Sequence, residues 1–168
     1  MRQGLKYTIL KTEMGWVGIL GSSKGLLRVT LPKSSAQEAR QQLGDRVKKA
    51  SRSDKFFAGL SPRLRNYFAG HPVAFPDELD LSLATTFQRQ AWAVTRLIPY
   101  GETRSYSWVA RQLGKAKAGR AVGRALGQNP LPIITPCHRV VAKNGKLGGY
   151  SGGVKMKRHL LKLEAKAI

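Results

Sequence analysis

Cysteine is almost missing from this chain: Cys137 is the single one in 168 residues, which excludes an intramolecular disulfide framework. Acidic residues are scarce as well, with nine Asp and Glu against thirty Lys and Arg and a net charge of +21 at pH 7. No run approaches the ~20 apolar residues that a membrane-spanning helix needs. The opening stretch, MRQGLKYTILKTEMGWVGIL, lacks the continuous apolar core of a secretory signal. There is no internal repeat, no low-complexity tract, no P-loop and no dinucleotide fingerprint. One cysteine and three scattered histidines, His71, His138 and His159, leave no four-ligand zinc site of the usual kind. These absences predict a protein of a reducing cytoplasm with no structural zinc and no membrane span.

The charge that is present is uneven. Residues 1–80 hold 14 basic and 7 acidic side chains, whereas residues 81–168 hold 16 and 2. An excess of that size in one half points to a polyanion, and nucleic acid fits better than a membrane because no amphipathic helix offers a bulky aromatic face to insert. The first third carries strand-like runs, LKYTILKT, GWVGILGSS and GLLRVTLP, separated by turn residues. SAQEARQQLGDRV and SPRLRNYFAG read as helices, each opened by a Ser cap and closed by Gly. HPVAFPDELDLSLA reads as a connecting segment, placing an N-terminal α/β domain at residues 1–80 and a mostly helical domain at 81–168.

In the second half, TTFQRQAWAVTRLIPYGE opens on a Thr cap and sets Phe87, Ala91, Val94 and Ile98 on one apolar face. SYSWVARQLG follows with Ser105 as cap and Gly114 as stop, and after the short link KAKAG comes RAVGRALGQNP. Two short helices joined by a tight link suggest a helix-turn-helix, with Arg120 and Arg124 on the polar side of the second helix. Gly123 inside that helix costs about 1 kcal/mol relative to Ala, which a close approach of another backbone would offset. HRVVAKNGKLGGY is expected to be a β-hairpin turning at Asn144-Gly145, completing the outline of a winged helix. The chain closes with a Lys-rich helix, VKMKRHLLKLEAKA.

Cys137 admits two readings, an inert buried thiol or a nucleophile whose neighbours His138 and Arg139 favour the thiolate. In an extended strand residues 137 and 138 would point to opposite faces, so the neighbours alone leave both readings open. The stretch RAVGRALGQNPLPIITPCHRVVAKNGKLGGYSGGVKMKRHLLKLE, Arg120 to Glu164, resembles the O6-alkylguanine-DNA alkyltransferases (methylated-DNA–protein-cysteine methyltransferases), as does TTFQRQAWAVTRLIPYGETRSYSWVA upstream. The resemblance implies an α+β protein: an N-terminal α/β domain of ribonuclease H-like type, followed by a C-terminal winged helix-turn-helix-like, mostly helical domain.

What the family does is a direct repair reaction. It implies a monomer that binds double-stranded DNA carrying O6-alkylguanine and rotates the damaged base into a pocket. The alkyl group then passes to Cys137 in a single-use transfer that needs no cofactor. By the same resemblance, His138 takes the thiol proton through a water, Glu164 orients that imidazole, Asn129 bridges the segments of the site and Tyr106 donates to the leaving base. Arg120 takes the place of the extruded base, with Tyr106, Ala121, Gly123 and Arg124 at the DNA. Tyr150, Ser151, Val140 and Gly152 form the substrate pocket. Without the family, Tyr106 reads as core, Glu164 as a solvated surface pair, Asn129 as a turn former and Arg120 as a phosphate contact. A non-catalytic protein that binds alkylated DNA and flags lesions is the alternative, and the presence of Cys137 favours transfer.

Overall fold

β-branched and apolar residues broken by glycine turns build the first part of the chain. The structure, a computed structural model, describes residues 4–166. The three expected strands form β1 (Lys6–Thr12), β2 (Gly15–Ser22) and β3 (Gly25–Val29), an antiparallel meander. A two-residue strand, β4 (Ser51–Arg52), joins the free edge of β1 in parallel, giving the order β3-β2-β1-β4. Ile9, Leu20 and Leu27 pack with Ala39, Leu43 and Val47 into one buried cluster. The helix α1 (Ala36–Gln42) lies so close to β2 that a Cβ at Gly18 would sit 2.9 Å from the Ala39 carbonyl oxygen, so only glycine fits there.

Ser35 caps α1 by accepting the Glu38 N–H, as expected. The second helix differs. α2 (Leu60–Phe68) starts one residue before Ser61, so Ser61 lies inside the first turn and Gly59 holds the cap position without a side-chain bond. Pro62 accounts for the shift, because the first turn of a helix tolerates a missing N–H. The connecting segment is also more than a linker: Leu26 N–H donates to the Glu78 carbonyl and Asp80 N–H to the Leu26 carbonyl, so residues 78–80 run along the outer edge of β3.

The chain divides into two compact units after Leu81. The second begins with α3 (Thr86–Thr95), capped by a reciprocal pair in which Thr85 accepts the Gln88 N–H and Gln88 accepts the Thr85 N–H. Its buried face is Ala91, Trp92, Thr95 and Ile98; Phe87 and Val94 are only half-buried, so the stripe is rotated from the expected one. Trp92 sets this phase, since its indole N–H finds the Ala125 carbonyl at 2.8 Å on α5 (Gly119–Gly127). Between them, β5 (Arg104–Ser105) leads into α4 (Tyr106–Gln112), which Ser105 caps through the Trp108 N–H. Gly114, at φ 71°, ends α4, and α5 packs against it after a short link.

The expected β-hairpin does not form. Asn144 and Gly145 do adopt positive φ, 65° and 75°, and the Ala142 N–H reaches the Lys146 carbonyl, so the turn is present. No strand returns from it. The two residues of β6 (Val140–Val141) pair instead in parallel with Arg104–Ser105. Gly148 and Gly149, then the exposed Ser151, Gly152 and Gly153, supply no alternating apolar face to hold a ladder. The last element, α6 (Val154–Lys166), is the expected Lys-rich helix; Ala167, the end of that expectation, lies outside the described residues.

Trp92→Phe should keep most of the packing but remove the donor to Ala125. We expect a loss of about 2 kcal/mol, read from the urea midpoint at unchanged slope.

Candidate active site

Cys137 sits at the start of a short 3-10 turn, Cys137–Arg139, that follows a fully buried stretch from Leu131 to Pro136. Asn129 organises that stretch. Its Oδ1 accepts the Leu131 N–H, while its Nδ2 donates to the Thr135 carbonyl at 2.9 Å and lies 3.2 Å from the Cys137 sulfur. Between those anchors Ile133 is held at φ 76°, a left-handed conformation that β-branched residues avoid. The loop that aims the sulfur is thus fixed at both ends by one side chain.

The sulfur lies on the wall of a cavity of about 610 Å³, shared with Tyr106, Arg120, Gly123, Tyr150 and Ser151 among others. Of the expected site residues, these six come together at one space. Asn129, His138 and Glu164 do not line it: Asn129 touches the Cys137 sulfur, the His138 ring lies edge-on to Tyr150 at 6.5 Å, and Glu164 stands beyond His138. Ala121 is half-buried, and Arg124 and Gly152 are exposed, but none of the three lines the cavity. Val140 is fully buried, and its carbonyl is occupied by Lys157.

Behind Cys137 is a buried charge network. His138 is 0% exposed, and its Nε2 lies 2.5 Å from Oε2 of Glu164, itself 1% exposed. A carboxylate on that side holds the ring in the tautomer that leaves Nδ1 as the basic nitrogen. Glu164 accepts three further hydrogen bonds, from Arg139 Nε at 2.8 Å, Arg139 Nη2 at 3.1 Å and the Gly101 N–H at 3.1 Å. Arg139 uses its remaining nitrogen on the Ile98 carbonyl at 2.8 Å. Burial pushes the Glu164 carboxyl up, but the bonds and charges of His138 and Arg139 outweigh it and hold the group at about 2. Burial lowers His138 more than Glu164 raises it, so the imidazole is neutral near pH 7.

The expectation that His138 and Arg139 favour the thiolate is corrected by this arrangement. Arg139 is spent on Glu164, and the cation that acts on the sulfur is Lys157, on α6. Burial raises the Cys137 thiol; the Asn129 bond and the Lys157 charge pull it partly back. The resting group is a shielded thiol. Lys157 is itself fully buried, with Nζ donating to the Val140 carbonyl at 2.7 Å, the Gly149 carbonyl at 3.1 Å and the Tyr106 hydroxyl at 3.4 Å. Burial lowers it to about 8. The Tyr150 hydroxyl is buried beside the thiol, and burial, with the neighbouring sulfur second, raises it well above its ordinary value. It is a donor held ready at the cavity wall.

Sequence reasoning passed over Lys157 and the Arg139–Glu164 pair. Helical phase carried a signal for the lysine, since Lys157 stands three residues before Leu160 and seven before Glu164, on the buried face. Arg139 carried none, because its partner lies 25 residues away.

Glu164 ties folding to pH. Its carboxyl is at about 2 when folded against 4.5 ordinarily, so its stabilisation is complete above about pH 4.5 and is lost as pH falls towards 2. Glu164→Gln should cost about 3–5 kcal/mol at pH 7, because Arg139 is left without its counter-charge. The variant's stability should also fall less steeply between pH 4.5 and 2, a difference that urea unfolding at several pH values measures.

Residues 5–81 match the profile of "6-O-methylguanine DNA methyltransferase, ribonuclease-like domain", and residues 86–166 match that of "6-O-methylguanine DNA methyltransferase, DNA binding domain". A methylated-DNA–protein-cysteine methyltransferase of Methanosarcina acetivorans is 40% identical over 161 residues, 94% of this chain and 97% of the relative. One from Mycobacterium bovis is 53% identical over 108 residues, which span 64% of this chain and 65% of the relative's length. The crystal structure of Mycobacterium tuberculosis OGT in complex with DNA superposes with a TM-score of 0.82 at 38% identity, over 96% of this chain and 94% of that one. The chain belongs to the 6-O-methylguanine DNA methyltransferase family.

Proposed function

We propose that this protein repairs duplex DNA by moving the alkyl group of O6-alkylguanine to the sulfur of its own Cys137, once per molecule. The observation that carries the reading is the placement of the chain's single thiol. It lies 4% exposed on the wall of a cavity, with a neutral imidazole and its carboxylate behind it and arginine-bearing α5 beside it. A sulfur so deeply set cannot reach a base inside a stack, so the base must leave the duplex to meet it. Arg120, exposed at the cavity, is placed to fill the gap left in the stack.

The reaction balances without a co-reactant. The thiol proton moves to Nδ1 of His138, and Glu164 stabilises the imidazolium that results. The sulfur attacks the alkyl carbon, the C–S bond forms as the C–O bond breaks, and the electron pair stays on the guanine. Tyr106, whose hydroxyl at rest donates to the Gly149 carbonyl and accepts from Lys157, each at 3.4 Å, turns its proton to the departing base, and the proton taken up by His138 then restores the phenol. Tyr150 and Ser151 line the side on which O6 rests. The sum is a thioether and an intact guanine. A thioether has no easy hydrolysis, so the protein is consumed.

Incubation with a duplex containing one O6-methylguanine, followed by intact mass measurement, tests this directly. One methyl should be gained per molecule, located on Cys137 by peptide mapping, and Cys137→Ala should gain none. Wild-type protein that binds the duplex but stays unmodified would make it a lesion-binding protein instead.

A further inference from the structure

The helix α6 has two faces with opposite tasks. At about 100° per residue, Lys157, Leu160 and Glu164 fall within about 60° of one another, and all three are buried against the site. Lys155, Arg158, His159, Lys162 and Lys166 fall within about 100° of one another, centred about 180° from the first group, and all five are exposed. The outer stripe is about 16 Å long at the helical rise.

Nothing in its own unit neutralises that stripe. The only acids after residue 81 are Glu102, which pairs with Arg104 at 2.9 Å, and Glu164, which is buried on His138 and Arg139. Like charges three and four residues apart cost a helix about 0.2–0.5 kcal/mol per pair. The stripe therefore weakens α6, the element that carries Glu164, unless an outside anion offsets it. Its outer arc bears no bulky apolar side chain, which argues against a membrane surface.

We infer that the outer face of α6 is a second DNA-binding surface, which holds the phosphate backbone of another duplex segment while the Cys137 cavity serves the first. The inference rests on the repair reading above. Because the stripe points away from the side of α6 that supports the cavity, one duplex engaged at α5 leaves it open. A protein that grips two segments can pass from one to the other without a free intermediate, which shortens the search for a rare lesion.

Two short duplexes, one carrying a donor dye and one an acceptor, report bridging at one protein per two duplexes. Wild-type protein should bring them together at ~50 mM salt, and the second affinity should fall with log salt at a slope of about −3 to −4 for four cations on phosphates. Replacing Lys155, Arg158, Lys162 and Lys166 by Gln should weaken the second duplex at least tenfold, while methyl transfer from a single short duplex stays within about twofold. Replacing the three lysines by Arg should preserve bridging, which separates charge from folding. Absence of bridging by the wild type, equal bridging by the Gln variant, or capture of the stripe by anionic phospholipid vesicles with no second duplex bound would each overturn the inference. Failure of methyl transfer would fall on the repair reading instead, because bridging is scored separately.

Discussion

One buried carboxylate holds the second unit together. Glu164 reaches from the last helix to the 3-10 turn through His138 and Arg139, and to the α3–β5 connection through the Gly101 N–H. Those segments are far apart in the chain, and each would lose a polar partner if the carboxylate were removed. A buried ion pair is weak evidence for net stability, because desolvation cancels much of the attraction. Here its worth is geometric: the same group that closes the fold fixes which imidazole nitrogen faces the chemistry.

The site keeps its nucleophile protonated and sheltered until it is used. Burial raises Cys137 and lowers His138, so neither is charged at rest. The Asn129 bond and the Lys157 charge pull the thiol the other way. In the proposed single-use transfer, a shielded thiol protects against wasteful oxidation or alkylation, and the cost is a proton transfer made only when a base is in place. The same unit gives both of its acids to internal pairs, so its surface is left almost purely basic. Catalytic charge and DNA-facing charge are thus set by one economy of carboxylates.

Local signals in the sequence were legible where a residue acts through its neighbours. The strands β1 to β3, the Ser35, Thr85 and Ser105 caps and the Gly114 stop follow from turn chemistry and capping. The Asn144-Gly145 turn was legible too, but the hairpin was not, since a ladder needs a returning strand and glycines at 148, 149, 152 and 153 interrupt one there. The α3 face rotated because Trp92 answers to Ala125, thirty-three residues away. In the site, the thiol and His138 stood out by type, whereas Glu164 looked like a surface acid among lysines until its burial placed it. Lys157 shows the limit most plainly: a lysine in a basic helix reads as solvated, and only the packing of α6 against Val140 and Gly149 makes it part of the site.

The central claim is that Glu164 acts on the transfer through His138. A double-mutant cycle on the rate of methyl transfer, with Glu164→Gln, His138→Gln and both together, tests it most directly. The account predicts that each single change slows transfer by at least about tenfold and that the pair is no slower than the worse of the two. Additive losses would contradict it, and would mean that the carboxylate serves the reaction by some route other than the imidazole.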